Sequence, residues 1–325
     1  MSTYIIRRLL GIIPLLFGIT VVSFFIIRLA PGKPVAVEQS LNPRVSPELR
    51  LRLEKQFGLD KPLHVQYLIW MKQIVRLDFG RSYIDSRPVM EKIAERIPLT
   101  LGLNLAALVL IFLIAVPLGV RSAIKADSAF DHSVTFLSFL FFAAPTFWLA
   151  LLFMQFFSIQ LGWFPISGLT SLDFEYFSAW GKAGDSIRHL FLPVFVAAIG
   201  GFAGLTRYMR SNMIEALRQP YIATARAKGL PESAVLYSHA LRNALLPVVT
   251  ILGLSIPGLL GGSVIFESIF ALPGIGRLFY EAVMTRDYPL IMAEVVITAV
   301  LTMLGNLIAD ISYACVDPRI SYKER

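Results

Sequence analysis

The sequence predicts an all-α polytopic membrane protein with six transmembrane helices and a helical extracytoplasmic segment. Of its 325 residues 56% are hydrophobic and only 16% are charged, and the mean hydropathy is +0.66. A soluble domain carries about a quarter charged residues, so this composition suits lipid as solvent. The apolar residues gather into runs of the length, roughly 17–25 residues, that a helix needs to cross a bilayer. The basic residues, which leave a formal net charge of +8, are sorted between the loops rather than spread along the chain.

The runs follow in order. Residues 9–27 lie between Arg8 and Arg28, and residues 97–120 between Arg96 and Arg121. Residues 133–161 are uncharged, with Pro145 inside. Residues 190–206 lie between His189 and Arg207, and 244–266 between Arg242 and Glu267. Residues 288–309 lie between Asp287 and Asp310 and contain one charge, Glu294. The first run is longer than the apolar core of a signal peptide, and no clean small-x-small cleavage site follows Arg28, so it reads as a stable anchor. With the N-terminus inside, thirteen Lys and Arg fall in cytoplasmic pieces and four in the two short outer loops. That asymmetry places both termini in the cytoplasm and accounts for most of the basic balance without nucleic acid. The chain then divides into residues 1–29 (cytoplasmic N-terminus and first span), 30–96 (extracytoplasmic segment) and 97–325 (the transmembrane core, with a cytoplasmic loop at 207–243).

The segment 30–96 is too long for a mere connector. Ser46, Pro47 and Glu48 supply a cap, a first-turn proline and an acid for a short helix that Gly58 ends. Residues 65–75 have near-helical apolar spacing and lie on the membrane surface or on neighbouring spans. The segment either shapes the outer entrance or packs passively. Pro117 and Pro145 predict kinks, tolerated where neighbouring helices satisfy the freed carbonyls. Gly162, Trp163, Phe164 and Pro165 read as an interfacial aromatic anchor ending in a turn. Gly200 with Gly204, and Gly258 with Gly262, are each four apart and predict faces of close backbone approach, within the chain or toward another subunit. Gly258, Gly262 and Glu294 are candidate pathway-lining residues. An ionisable group inside a span is a functional hypothesis by default, but Glu294 lies close enough to the outer end of its run for hydration or a local partner to explain it.

Between Arg207 and Arg242 the chain is polar but not featureless. Met213, Leu217, Ile222, Ala225, Leu230 and Leu236 place apolar anchors among the charges, Pro220 interrupts a first helical piece, and Pro231 opens another after the Gly229 turn. Composition alone allows a plain solvated loop. Its motif is more specific. Tyr221-Ile222-Ala223-Thr224-Ala225-Arg226-Ala227-Lys228-Gly229-Leu230, followed by His239-Ala240-Leu241-Arg242-Asn243-Ala244-Leu245-Leu246-Pro247, resembles the signature loop of ABC-importer permeases. More closely it is similar to the first-subunit (B-type) branch of the dipeptide, oligopeptide and nickel permease family. Further matches are Tyr4 to Arg8, Ala30-Pro31-Gly32, Asp78-Phe79-Gly80 with Ser82, Leu272-Pro273-Gly274-Ile275-Gly276-Arg277, Arg286-Asp287-Tyr288-Pro289 and Asp317-Pro318-Arg319. One departure concerns the wider importer motif, which carries a Glu six residues before the glycine. Ala223 stands there, and with it goes any salt bridge that this acid would make.

The resemblance implies a type I ABC-importer permease fold in a bacterial or archaeal plasma membrane. It implies a second homologous permease, two ATP-binding subunits and an extracytoplasmic substrate-binding protein as partners. Ala223, Thr224, Ala225, Arg226, Ala227, Lys228, Gly229 and Leu230 would be the coupling residues seated in an ATPase groove. Di- or oligopeptides are the first substrate class implied; nickel chelates, glutathione or another small solute are the alternative. No cofactor is expected in this chain, because ATP and magnesium belong to the partners.

The chain's own residues exclude rival classes. No GxxxxGK[ST] occurs, since Gly32-Lys33-Pro34 and Gly181-Lys182-Ala183 lack the glycine loop and the Ser/Thr. An ion-coupled secondary transporter would want buried carboxylates near the midplane and inverted repeats. Only Glu294 lies within a run, off-centre, and no repeat is evident. An intramembrane enzyme would need paired aspartates, a Ser/His pair or a metal cluster within the spans. The single Cys315 and four scattered histidines offer no cysteine-based zinc cage and no HExxH pair. Asp310 and Tyr313 fit the family pattern as structural residues.

Overall fold

The computed structural model describes residues 2–29, 55, 58 and 60–316, and of these the side chains from Arg7 to Asp310 except that of Leu260. The helix expected after Ser46, and the motifs Ala30-Pro31-Gly32 and Asp317-Pro318-Arg319, lie outside these residues. Among the described residues the chain is helical, with one isolated bridge between Arg81 and Pro88. The helices are α1 (Ser2–Leu29), α2 (Leu63–Val75), α3 (Val89–Ile124), α4 (Ala129–Ala143), α5 (Thr146–Gln160, π-helical from Met154) and α6 (Ala179–Leu217). They continue with α7 (Pro220–Ala227), α8 (Ala234–Ala244), α9 (Leu246–Ser255, extended by a 3-10 turn Ile256–Leu260), α10 (Val264–Ile269), α11 (Ile275–Thr285) and α12 (Tyr288–Val316).

Up to six spans come from two kinds of element among the described residues. α1, α3, α6 and α12 are each long and apolar enough to cross alone, while α4 with α5 and α8 with α9 qualify as bent pairs. The third expected span turns through 104° at Ala144-Pro145. Ala144 is driven to extended backbone (φ −75°, ψ 133°) by the proline ring that follows it. Pro98, Pro117 and Pro193 leave α3 and α6 unbroken, so no interruption accompanies Pro117.

Two spans differ from expectation in extent. The fourth is not residues 190–206 but the whole of α6, 39 residues, started by Ser178, whose hydroxyl accepts from the Gly181 N–H at 3.2 Å. At 1.5 Å per residue it is about 58 Å long, nearly twice the hydrocarbon thickness, so it projects past the bilayer. The fifth does not run through 244–266. It stops at Leu260, passes through extended backbone at Gly261, and restarts as α10. The Asn104 side chain on α3 donates to the Leu259 and Gly261 carbonyls (2.9 and 3.0 Å), satisfying backbone groups that the break sets free.

The glycine faces are also corrected. A Cβ on Gly200 or Gly258 would meet nothing within 4 Å, and one on Gly204 only the Phe142 ring at 3.8 Å. Of the four expected glycines only Gly262 is closely approached by backbone, and other glycines are too. Gly119 of α3 sits 2.7 Å, measured from a built Cβ, from the Thr206 carbonyl of α6, and Gly305 of α12 stands likewise 2.7 Å from Pro257. Gly262 belongs to the extended break and abuts the backbone of Gly276.

The first and last spans are tied near both ends. Arg8 pairs with Asp310 at 2.5 Å, consistent with a structural Asp310, and the Arg28 guanidinium lies over the Tyr288 ring at 4.6 Å. α2 packs on α1, with Tyr67 and Trp70 against Phe24 at 5.3 and 5.9 Å between ring centroids.

Candidate functional site

The loop 207–243 opens with the end of α6 and turns at Arg218 and Gln219 into α7, with Pro220 at the first helical position, where its missing N–H costs nothing. Ile222 and Ala225, three apart, are buried, while Ala223, Thr224, Arg226, Ala227, Lys228, Gly229 and Leu230 are exposed. Seven of the eight expected coupling residues therefore share one accessible surface, and Ala225 is its inward anchor. α7 ends in a Schellman motif. Gly229 N–H donates to the Arg226 carbonyl at 2.9 Å and Leu230 N–H to the Ala225 carbonyl at 3.3 Å. That geometry requires Gly229 at φ +75°, where a side chain is disfavoured by roughly 1–2 kcal/mol. A Cβ there would meet nothing, so the constraint is backbone conformation, not space.

Arg226 already has a partner inside the loop. Its guanidinium spans the turn to Glu232, at 2.6 and 3.1 Å. The pairing lowers the Glu232 carboxyl below its ordinary range and raises the guanidinium. Lys228 has no carboxylate within salt-bridge reach among the described residues.

Beneath this surface the loop and the spans share one core. Ile222, Ala225 and Val235 pack in a single cluster with Val120 and Ala123 of α3, Met209, Met213 and Ala216 of α6, and Val248 of α9. Asp131, at the start of α4, anchors the frame. It accepts from Arg210 through both oxygens (2.6 Å each), from the Ser122 hydroxyl at 2.8 Å and from the Asp127 N–H at 3.0 Å. One buried carboxylate thus ties α3, α4 and α6 where the loop begins. Sequence reasoning missed it; the available signal was a lone acid three residues past Ser128, an N-cap residue type, at the head of an apolar run.

At the other end of the bundle, motifs far apart in sequence meet. Ser82 of the Asp78-Phe79-Gly80 stretch donates a short hydrogen bond to Asp287, whose other oxygen accepts from the Tyr83 N–H at 3.0 Å. Burial pushes the Asp287 carboxyl up despite these donors. Glu267, 3% exposed, accepts from the Arg277 N–H at 2.9 Å, the Ser263 N–H at 3.3 Å and the Thr100 hydroxyl at 3.3 Å. Thr100 in turn accepts from the Ile275 N–H at 3.0 Å. The carboxylate therefore caps α11 and seats the Leu272-Pro273-Gly274-Ile275-Gly276 turn. A Cβ on Gly274 would strike Glu267, and one on Gly276 would lie 2.6 Å from Ser263 and Val264 backbone.

Glu267 also borders a cavity of about 440 Å³ between α3, α5, α6 and α10, with Thr100, Asn104, Thr146 and Ser263 as its other polar walls. None of Gly258, Gly262 and Glu294 lines this cavity. Glu294 is 2% exposed, and neither carboxylate oxygen has a hydrogen-bond partner among the described residues. Among the described residues no group of three or more His, Cys, Asp and Glu is placed to hold a metal.

Two family models match the chain. Residues 115–322 match the family described as binding-protein-dependent transport system inner membrane component, and residues 1–104 match its N-terminal counterpart. The chain is 49% identical over 323 residues to the oligopeptide transport system permease protein AppB of Bacillus subtilis, covering 99% of this chain and all of that one. It is 39% identical to the dipeptide transport system permease protein DppB of Alkalihalophilus pseudofirmus (99% and 100% covered). It is 36% identical to DppB of Escherichia coli K12, over the full length of both.

Proposed function

Because the chain belongs to the family of binding-protein-dependent transport system inner membrane components, we propose that it is the first permease subunit of an ATP-driven peptide importer. The full-length similarity to oligopeptide and dipeptide permeases supports peptides as cargo. Its partners are a second homologous permease, two ATP-binding subunits and an extracytoplasmic substrate-binding protein, and both termini are cytoplasmic. Hydrolysis belongs to the ATP-binding subunits.

The observation that carries the coupling role is the two-sided character of α7. One side is an accessible surface on a conformationally fixed turn; the other, through Ile222 and Ala225, belongs to the core that holds α3, α6 and α9. A displacement applied to the outer face has no soft layer to dissipate it, because close-packed interiors transmit strain. α9 receives the movement directly, and the break at Gly261 lets it shift without dragging the Glu267-held turn. The cavity bordered by Glu267 then lies on the route of the cargo, which passes between this chain and the second permease.

The test is ATP-driven uptake of a labelled dipeptide by proteoliposomes containing the complex. Gly229→Asp places a side chain at φ +75° and a negative charge on the accessible face. Uptake falls to background while the variant chain still reaches the membrane. Uptake at the wild-type rate would overturn the coupling assignment. Uptake by the wild-type protein that follows an ion gradient and ignores ATP would overturn the importer reading altogether.

A further inference from the structure

We propose that a phospholipid with an anionic headgroup occupies the groove between α4 and α6, its phosphate on Arg207 and an acyl chain over Gly204. The groove is a cavity of about 270 Å³ whose two ends differ in chemistry. Phe142 and Gly204 line one end, and Arg207, Tyr208 and Ser211 the other. Along α6 the residues 204, 207 and 211 follow one another about a turn apart, toward the loop and the bilayer surface. The apolar end therefore lies deeper and the polar end at headgroup level, which is the order of a lipid molecule.

Arg207 supplies the charge argument. Arg210, less than a turn nearer the loop, is neutralised by the buried Asp131. Arg207 has no carboxylate within salt-bridge reach among the described residues; its guanidinium lies 4.7 Å from the centre of the Phe139 ring. A guanidinium at headgroup level, on an exposed groove, calls for an anion, and its planar fork suits phosphate oxygens. Basic pockets between spans on the side of a positively charged loop are the setting in which anionic headgroups bind. The surrounding surface favours lipid: on α4, Phe136 and Phe142 are each 67% exposed. Gly204 leaves the room. A Cβ there would touch only Phe142, at 3.8 Å, so alanine fits and a larger side chain fills the groove.

The complex is isolated from membranes through a tag on this chain, exchanged into mixed phosphatidylglycerol and phosphatidylcholine, and its retained lipids are counted by mass spectrometry. The wild-type complex retains phosphatidylglycerol preferentially. Arg207→Gln loses that preference about fivefold, the weight of one basic residue at an anionic surface. Arg207→Lys keeps most of it, Gly204→Leu abolishes it, and Arg218→Gln, outside the groove, leaves it unchanged. Equal retention by wild type and Arg207→Gln would overturn the site. So would displacement of the lipid by inorganic phosphate, which would make it a free-anion site. Loss of the second permease from the Gly204→Leu complex would make the groove a protein interface instead.

Discussion

Asp131 and Arg210 illustrate how much one side-chain pair can decide in a membrane protein. The carboxylate is buried and takes four hydrogen bonds from three segments, so its charge is compensated on every side. Removing one member of such a pair leaves the other uncompensated. Asp131→Ala is expected to cost about 3 kcal/mol and to lower the unfolding midpoint of the solubilised protein by several degrees. Adding Arg210→Ala restores part of the loss, because no orphaned charge remains. An unchanged midpoint in the single variant would contradict the anchoring role. Glu294 poses the opposite case. It is buried without a hydrogen bond among the described residues, and its environment was not readable from the one-letter string, which places it near the end of an apolar run but says nothing of what packs around it.

At the scale of elements, sequence reading succeeded where a single run of residues carried the signal. The six apolar stretches, the turn at Gly229 and the interruption at Pro220 were all legible, because hydropathy and backbone chemistry act locally. The extents of α6 and of the fifth span were not. Apolar runs mark the part of a helix in lipid, and polar flanks such as Lys182 to Arg188 continue a helix without showing it. The break at Gly261 depends on Asn104, over 150 residues away, accepting the role of donor. Glycine spacing was a partial guide: Gly262 is closely approached, but by the turn at Gly276 rather than across a helix face, because the fifth span is interrupted between Gly258 and Gly262. A paired comparison tests the corrected assignment. Gly276→Ala forces a Cβ to 2.6 Å from backbone that cannot yield, whereas Gly258→Ala enters open space. The first is expected to abolish uptake and lower recovery of folded protein, and the second to leave both near wild type. Equal effects would mean that the turn at 272–276 is not held as described.

For the whole molecule, the two ends of the bundle divide the work. One end is organised by long-range carboxylates: Asp287 on Ser82 and Tyr83, Glu267 on the turn before α11. The other carries the loop, whose outward face is small and basic and whose inward face is core. The surface was legible because its motif is contiguous; the rigid frame behind it was not, because Asp131, Val120 and Val248 come from three other elements. The account's central claim is that this face meets an ATP-binding chain. Cross-linking tests it most directly, with Ala227→Cys on the exposed face of α7 and a short bifunctional reagent applied to the assembled complex; Cys315→Ser removes the one native cysteine. The account predicts a cross-linked species that joins this chain to an ATP-binding subunit and whose yield changes when ATP is added. A complex that contains the ATP-binding subunits yet gives no such species, with or without ATP, would contradict it.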